Sequence, residues 1–148
     1  MDKHARILVV DDDLNIRKSM EAILSEEGYD VDLAADGKEA IRKSESTTYN
    51  VALIDIRLPD MDGVELLTRM KDTVPRTRKI IITGYPSVQN AIEAVNRKAD
   101  AYLVKPVDVE KLLATIETHL ELQKMEKEYS EEKVVEFIAA RVKEISST

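Results

Sequence analysis

Five polar residues stand directly after short apolar runs. Ile7-Leu8-Val9-Val10 leads into Asp11 and Asp12, Val51-Ala52-Leu53-Ile54 into Asp55, Ile80-Ile81-Ile82 into Thr83, and Leu103-Val104 into Lys105. If each run is a strand of one parallel sheet, these side chains gather beyond the carboxyl ends, where open α/β sheets bind ligands. Three carboxylates sharing a small volume repel by roughly 4 kcal/mol per pair at about 4 Å and an effective dielectric near 20. That repulsion would consume much of a typical stability of about 5–15 kcal/mol. A cation must offset it, or one carboxyl must stay protonated. Hard oxygen ligands at a shallow, solvent-open site suit Mg²⁺, which keeps several waters and needs one or two carboxylates. Asp13, beside Leu14, reads instead as a helix N-cap.

The elements that must position these residues alternate regularly. Ile7–Val10, Val31–Ala34, Val51–Ile54, Lys79–Ile82 and Ala101–Val104 have the length and β-branching of buried strands. Between them lie helical stretches. The first runs from Leu14 to Glu27 with Ile16, Met20, Ile23 and Leu24 inward, and Gly28 stops it. The second, Lys38–Ser46, turns Ala40 and Ile41 inward, and the third, after Gly63, turns in Val64, Leu67 and Met70. The fourth is capped by Ser87, with Val88, Ala91, Ile92 and Val95 as its expected inner face, and the fifth begins near Asp108 with Leu112, Leu113, Ile116 and Leu120. Five strands, each followed by a helix, predict an α/β fold with a doubly wound parallel sheet covered on both faces. The second strand ends without a chemically useful side chain, which fits a peripheral place in the order 2-1-3-4-5.

Composition narrows the function further. The chain has 148 residues, 22 basic and 29 acidic, for a net charge of −7, with no cysteine and two histidines. One domain with a short appendage fits that length. Disulfides, thiolate zinc sites and cysteine nucleophiles are excluded, and the acidic balance argues against direct nucleic-acid binding. Met1-Asp2-Lys3-His4 leads into a strand rather than a signal peptide, and no apolar run is long enough to cross a membrane, so a cytoplasmic protein with no membrane contact is expected. His4 and His119 lie away from the aspartate loops and are expected at the surface, and the scattered methionines are expected in core packing.

The run Leu8-Val9-Val10-Asp11-Asp12-Asp13, the segment Ile54-Asp55-Ile56-Arg57-Leu58-Pro59-Asp60-Met61-Asp62-Gly63, the pair Thr83-Gly84 and the pair Lys105-Pro106 together resemble the response-regulator receiver domain of two-component signalling. The resemblance covers about residues 5 to 120 and implies a flavodoxin-like fold. It implies Asp55 as phosphoacceptor from a sensor histidine kinase, Asp12 as a direct Mg²⁺ ligand and Asp11 as an outer ligand acting through water. The backbone carbonyl of Arg57 would complete the protein's share of the metal shell. Thr83, the backbone N–H at Gly84, and Lys105 would hold the phosphoryl oxygens, and a cis bond is implied at Lys105–Pro106. Thr83 and Tyr102 match the family's switch pair, acting on the face formed by helix four, strand five and helix five to reach an unidentified downstream protein. Arg57 and Tyr85 would flank the site and tune phosphoryl lifetime. The residue types suit the chemistry, because a carboxylate can form an acyl phosphate once the phosphoryl charge is neutralised and held in line.

Two other classes compete. A haloacid-dehalogenase-type phosphatase also uses a nucleophilic aspartate, but no Asp-x-Asp pair follows the third strand. A pseudo-receiver acting as a constitutive interaction module is opposed by the intact Asp55, Thr83 and Lys105. Past Leu120 the chain is highly charged and free of Gly and Pro, so residues 1–120 are expected to form the domain and 121–148 a helical extension. Val135, Ile138, Val142 and Ile145 keep the 3-4-3 spacing of a narrow helix–helix seam. Helix five should continue into this segment, with a homodimer through the C-terminal helix as the favoured use. A fresh helix start at Ser130, folding back on the domain, is one alternative, and a linker or a frayed, solvated tail are others.

Overall fold

The computed structural model describes residues 4–146, so the leader reading of residues 1–3 and the last two residues of the extension lie outside it. Strands β1 (Arg6–Val10), β2 (Asp30–Ala34), β3 (Val51–Ile54), β4 (Arg78–Thr83) and β5 (Ala101–Val104) alternate with helices α1 (Leu14–Glu26), α2 (Gly37–Ser46), α3 (Gly63–Arg69), α4 (Val88–Asn96) and α5 (Val109–Ser146). All pairings are parallel and the order is β2-β1-β3-β4-β5, as the strand ends implied. The central strands are apolar on both faces because both are covered. Leu8, Val10, Ala52, Ile54 and Ile81 join one core with α2, α3 and α4 residues. Ile7, Val9, Leu53, Ile80 and Ile82 join the other with Leu24, Leu112 and Ile116. Register fixes the site: Val10 pairs with Ile54 and Thr83 with Val104, so the residues that follow emerge at one edge.

Local chemistry sets the element ends. Asp13 caps α1 by accepting from Asn15 N at 2.8 Å and Ile16 N at 3.2 Å, and Gly28 follows the helix at φ 94°, where an L side chain is strained. Ser87 caps α4 in a reciprocal box with Asn90. Lys105–Pro106 is cis, as is Val74–Pro75.

Three expectations need correction. On α4, Val88, Ile92 and Val95 face outward, 78%, 54% and 71% exposed, while Ala94 is fully buried. Asn90 and Ala91 are half-buried and Ala94 joins the core beneath the helix; small residues let it approach closely, and Asn90 is drawn inward by hydrogen bonds. An apolar stripe has the same period whether it faces a core or a partner, so the pattern alone could not separate them. His119 is half-buried rather than at the surface; its Nδ1 is enclosed without a hydrogen-bond partner, and burial lowers its pKa. Met70 is buried, and Met20 and Met61 pack against the cores, but Met125 is exposed.

Helix α5 runs unbroken through Ser130. Its packing on the domain continues past Leu120. Gln123 is 4% exposed and donates from Nε2 to the carbonyls of Asn50 and Arg76 at 3.0 and 2.8 Å, while accepting from Asn50 Nδ2 at 2.8 Å. Glu126 pairs with Arg78 at 3.0 Å, and Arg78 also reaches Asp100 at 3.2 Å. Burial pushes the Asp100 carboxyl up, but bonds from Arg76 and Lys79 N with the charges of Arg76 and Arg78 more than offset it and hold it low. Beyond this clamp the helix is solvent-exposed to its end apart from a half-buried Ser130.

Candidate functional site

The β1 and β3 ends lie side by side because Asp55 N donates to Val10 O at 2.9 Å. This register brings one carboxylate oxygen each from Asp11, Asp12 and Asp55 within 4.8 Å of one another. Asp11 and Asp55 are buried and Asp12 is exposed, which leaves an open side to the cluster. The β5 end contributes Lys105, whose Nζ donates to Asp11 Oδ2 at 2.7 Å and Asp55 Oδ2 at 3.0 Å. The cation that the crowded carboxylates require is therefore supplied in part by the protein itself.

The electrostatics follow from that crowding. Burial pushes the Asp55 carboxyl above the ordinary aspartate value, with Asp11 adding repulsion, against the opposing bonds from Lys105 and Arg57 N. Burial works to lower Lys105, but its bonds to Asp11 and Asp55 prevail and raise it, so it stays an ammonium. Two buried carboxylates, an exposed third and one fixed cation leave negative charge in excess. A small, hard, oxygen-seeking dication suits such a donor set.

Surrounding residues hold the frame. Asp11 accepts from Asp13 N at 2.9 Å, and its carbonyl accepts from Arg17 Nη1 at 2.7 Å. Gly63 opens α3 directly against the Asp55 backbone: an added Cβ would sit 2.1 Å from the Asp55 carbonyl oxygen, so any other residue displaces the strand end. Asp60 ties the β3–α3 loop to the start of α2 by accepting from Gly37 N at 2.8 Å and Lys38 N at 2.9 Å.

The β4 end brings Thr83, fully buried, with Oγ1 accepting from Tyr85 N at 2.9 Å. Gly84 is exposed, and a Cβ there would meet Lys105 Cδ at 3.8 Å, ordinary contact, so packing does not itself demand glycine at this position. Arg57 donates its backbone N–H to Asp55 Oδ1 at 3.2 Å, and its guanidinium lies 3.6 Å from the ring centroid of Tyr85. The two flanking residues thus stack on each other, a cation–π contact spanning the β3–α3 and β4–α4 loops. Tyr102 is half-buried, apart from the carboxylates, and its hydroxyl donates to Asn90 Oδ1. Asn90 escaped the sequence reading; the Ser-x-x-Asn spacing from Ser87 signals its capping role but not its bond to Tyr102.

Residues 7–117 match the family described as response regulator receiver domain. The chain belongs to the response-regulator receiver family. A receiver domain protein (CheY-like) from Methanospirillum hungatei JF-1 superposes with a TM-score of 0.80 at 45% identity, covering 83% of this chain and 98% of that one. Among curated relatives, the regulatory protein AtoC of Escherichia coli (strain K12) is 36% identical over 123 residues, 83% of this chain and 27% of its own length. The transcriptional regulatory protein ZraR of the same organism is 39% identical over 114 residues, 77% of this chain and 26% of its length. The chain thus spans about a quarter of these two relatives. Membership in the receiver family accounts for the sheet order and for the acidic cluster at the carboxyl edge. No helix among the described residues is long and apolar enough to cross a membrane.

Proposed function

We propose that this receiver accepts a phosphoryl group on Asp55 from a sensor histidine kinase, in the presence of Mg²⁺, and passes its state to a downstream protein through the α4–β5–α5 face. The observation that carries the reading is the meeting of Asp11, Asp12 and Asp55 within 4.8 Å, with the Lys105 ammonium between Asp11 and Asp55. Asp12, Asp55 and the Arg57 carbonyl would hold the metal directly, and Asp11 through water. Bound there, Mg²⁺ would supply positive charge to the transferring phosphoryl group.

The chain's own residues account for the rest. An Asp55 carboxylate oxygen attacks phosphorus, forming the acyl phosphate as the bond to the donor's leaving group breaks. Lys105 exchanges its bond to Asp55 for one to a phosphoryl oxygen, and Thr83 and the backbone N–H at Gly84 take further phosphoryl oxygens. The Arg57–Tyr85 stack stands beside this group and governs water access, hence phosphoryl lifetime. Activity of the chain is confined to its own phosphorylation and dephosphorylation. The outward apolar face of Val88, Ile92 and Val95 suits a protein contact that responds to the switch. Likeness to ZraR supports a transcriptional output further downstream.

Acetyl phosphate with Mg²⁺ should add one phosphoryl group, detected by intact mass, and Asp55→Asn should lower labelling at least 100-fold. Full labelling of the Asp55→Asn protein would sink the assignment. Turnover of a generic phosphate ester would favour a phosphohydrolase, and failure to bind beryllofluoride would favour a constitutive interaction module.

A further inference from the structure

Asn90 is the third residue of α4, and its amide is used from both ends. Oδ1 accepts from the Tyr102 hydroxyl and from Ser87 N at 3.2 Å, while Nδ2 donates to the Tyr85 carbonyl at 3.0 Å. Two donors on one side and a carbonyl on the other fix the orientation of the amide. Tyr85 in turn donates its own N–H to Thr83 Oγ1 at 2.9 Å. A continuous path of three hydrogen bonds therefore joins the Thr83 hydroxyl, the Tyr85 backbone, the Asn90 amide and the Tyr102 hydroxyl.

A capping box explains only part of this. The box needs an acceptor for Ser87 N and the backbone N–H that meets Ser87 Oγ at 3.1 Å. Neither the Nδ2 donor toward Tyr85 nor the second donor on Oδ1 belongs to it. These two extra bonds tie the loop after β4 to the tyrosine on β5.

We propose that Asn90 is the positioning residue that couples Thr83 to Tyr102, holding the tyrosine in its resting orientation while Thr83 accepts the Tyr85 N–H. The coupling rests on Asp55 being the phosphoacceptor. When a phosphoryl group draws the Thr83 hydroxyl toward itself, the Tyr85 N–H loses its acceptor. Tyr85 sits on an exposed loop, so water can take that N–H, and the loop, no longer tied to Thr83, is free to shift. That shift carries the Tyr85 carbonyl away from Nδ2, and the amide, with one anchor gone, releases Tyr102. The Ser87 cap holds the Asn90 backbone meanwhile, so the side chain turns and the helix start stays put.

The test uses the full chain labelled with 3-fluorotyrosine, read by ¹⁹F NMR, with the Tyr102 resonance assigned by its absence in Tyr102→Phe. Beryllofluoride with Mg²⁺ is the phosphoryl mimic, and its own bound ¹⁹F signals report occupancy. In the wild type, occupancy should shift the Tyr102 resonance. Asn90→Asp keeps the acceptor for Tyr102 and Ser87 but turns an oxygen on the Tyr85 carbonyl; beryllofluoride should still bind while the Tyr102 shift is lost. Asn90→Ala removes the tether, so Tyr102 should already move toward its bound position without ligand. By linkage, beryllofluoride affinity should then rise about 5-fold or more. Ser87→Ala, which weakens only the cap, should leave the Tyr102 response in place. Wild-type shifts and affinity in both Asn90 variants, with beryllofluoride bound, would overturn the role of Asn90 alone. Absence of bound beryllofluoride in the wild type would overturn the Asp55 reading and the coupling together.

Discussion

Lys105 does two jobs with one charge. Its Nζ neutralises Asp11 and Asp55 at 2.7 and 3.0 Å, and it therefore competes with any dication for the same oxygens. Lys105→Ala should leave Mg²⁺ affinity unchanged or raise it several-fold. The same variant should weaken beryllofluoride binding at least tenfold, since a charge-assisted bond to the phosphoryl group is gone. Without metal it should unfold more easily, by about 1–3 kcal/mol, because two buried carboxylates lose their only cation contact among the described residues. Saturating Mg²⁺ should restore most of that loss. Mg²⁺ titration and urea midpoints with and without metal check both halves; a large fall in Mg²⁺ affinity contradicts the competition. Asp55, Asp11 and Lys105 were legible in the sequence because each follows an apolar strand. The stack of Arg57 on Tyr85 was not, because the two are 28 positions apart and only the folded loops bring them together.

At the scale of elements, the foot of the sheet is held by charge. Asp100 accepts from Arg76 Nη1 and Nη2 at 2.8 and 2.6 Å and from Lys79 N at 2.8 Å, and Arg78 links it to α5 through Glu126. Its carboxyl is depressed in the folded protein. A depressed acid stabilises fully above the unfolded value of about 4 and loses that contribution as pH falls through the folded value. The wild type should therefore lose stability on acidification below about pH 4, and Asp100→Asn should show a flatter fall there. At neutral pH the Asn variant should be less stable by about 2 kcal/mol, the worth of hydrogen bonds to a charged group. Urea midpoints from pH 7 to pH 3 test the sign, and parallel curves would contradict it. Every strand and helix could be placed from apolar runs and period. The facing of α4 could not, because an outward Val88–Ile92–Val95 stripe carries the same spacing as a core stripe. Gln123 was hidden for the opposite reason: a polar residue in a charged run gives no sign that it seals the sheet's lower edge.

For the whole molecule, the question is what the distal half of α5 packs against. The helix holds 38 residues, about 57 Å at 1.5 Å per residue. Gln123 and Glu126 bind it to the domain, and nothing breaks it at Ser130, so it leads away instead of folding back. A cleft of about 1010 Å³ does open beside its middle turns, lined by Tyr49, Asn50, Pro75, Glu121 and Lys124, but no residue beyond Lys127 lines it. Val135, Ile138, Val142 and Ile145 remain exposed along one seam, flanked by exposed Val134. A lone charged helix of this kind is marginal in water and gains stability by burying such a seam against another helix. The same tail of a second copy offers a matching seam, with Arg141 at its margin and the charged Lys133, Glu136 and Glu144 on the outward face. Sedimentation of the full chain should give a dimer. A version ending at Lys127, which keeps the Gln123 and Glu126 contacts, should be monomeric, and Ile138→Glu in the full chain should weaken the dimer at least tenfold. Equal monomeric masses for the full and shortened chains would rule out pairing through the tail.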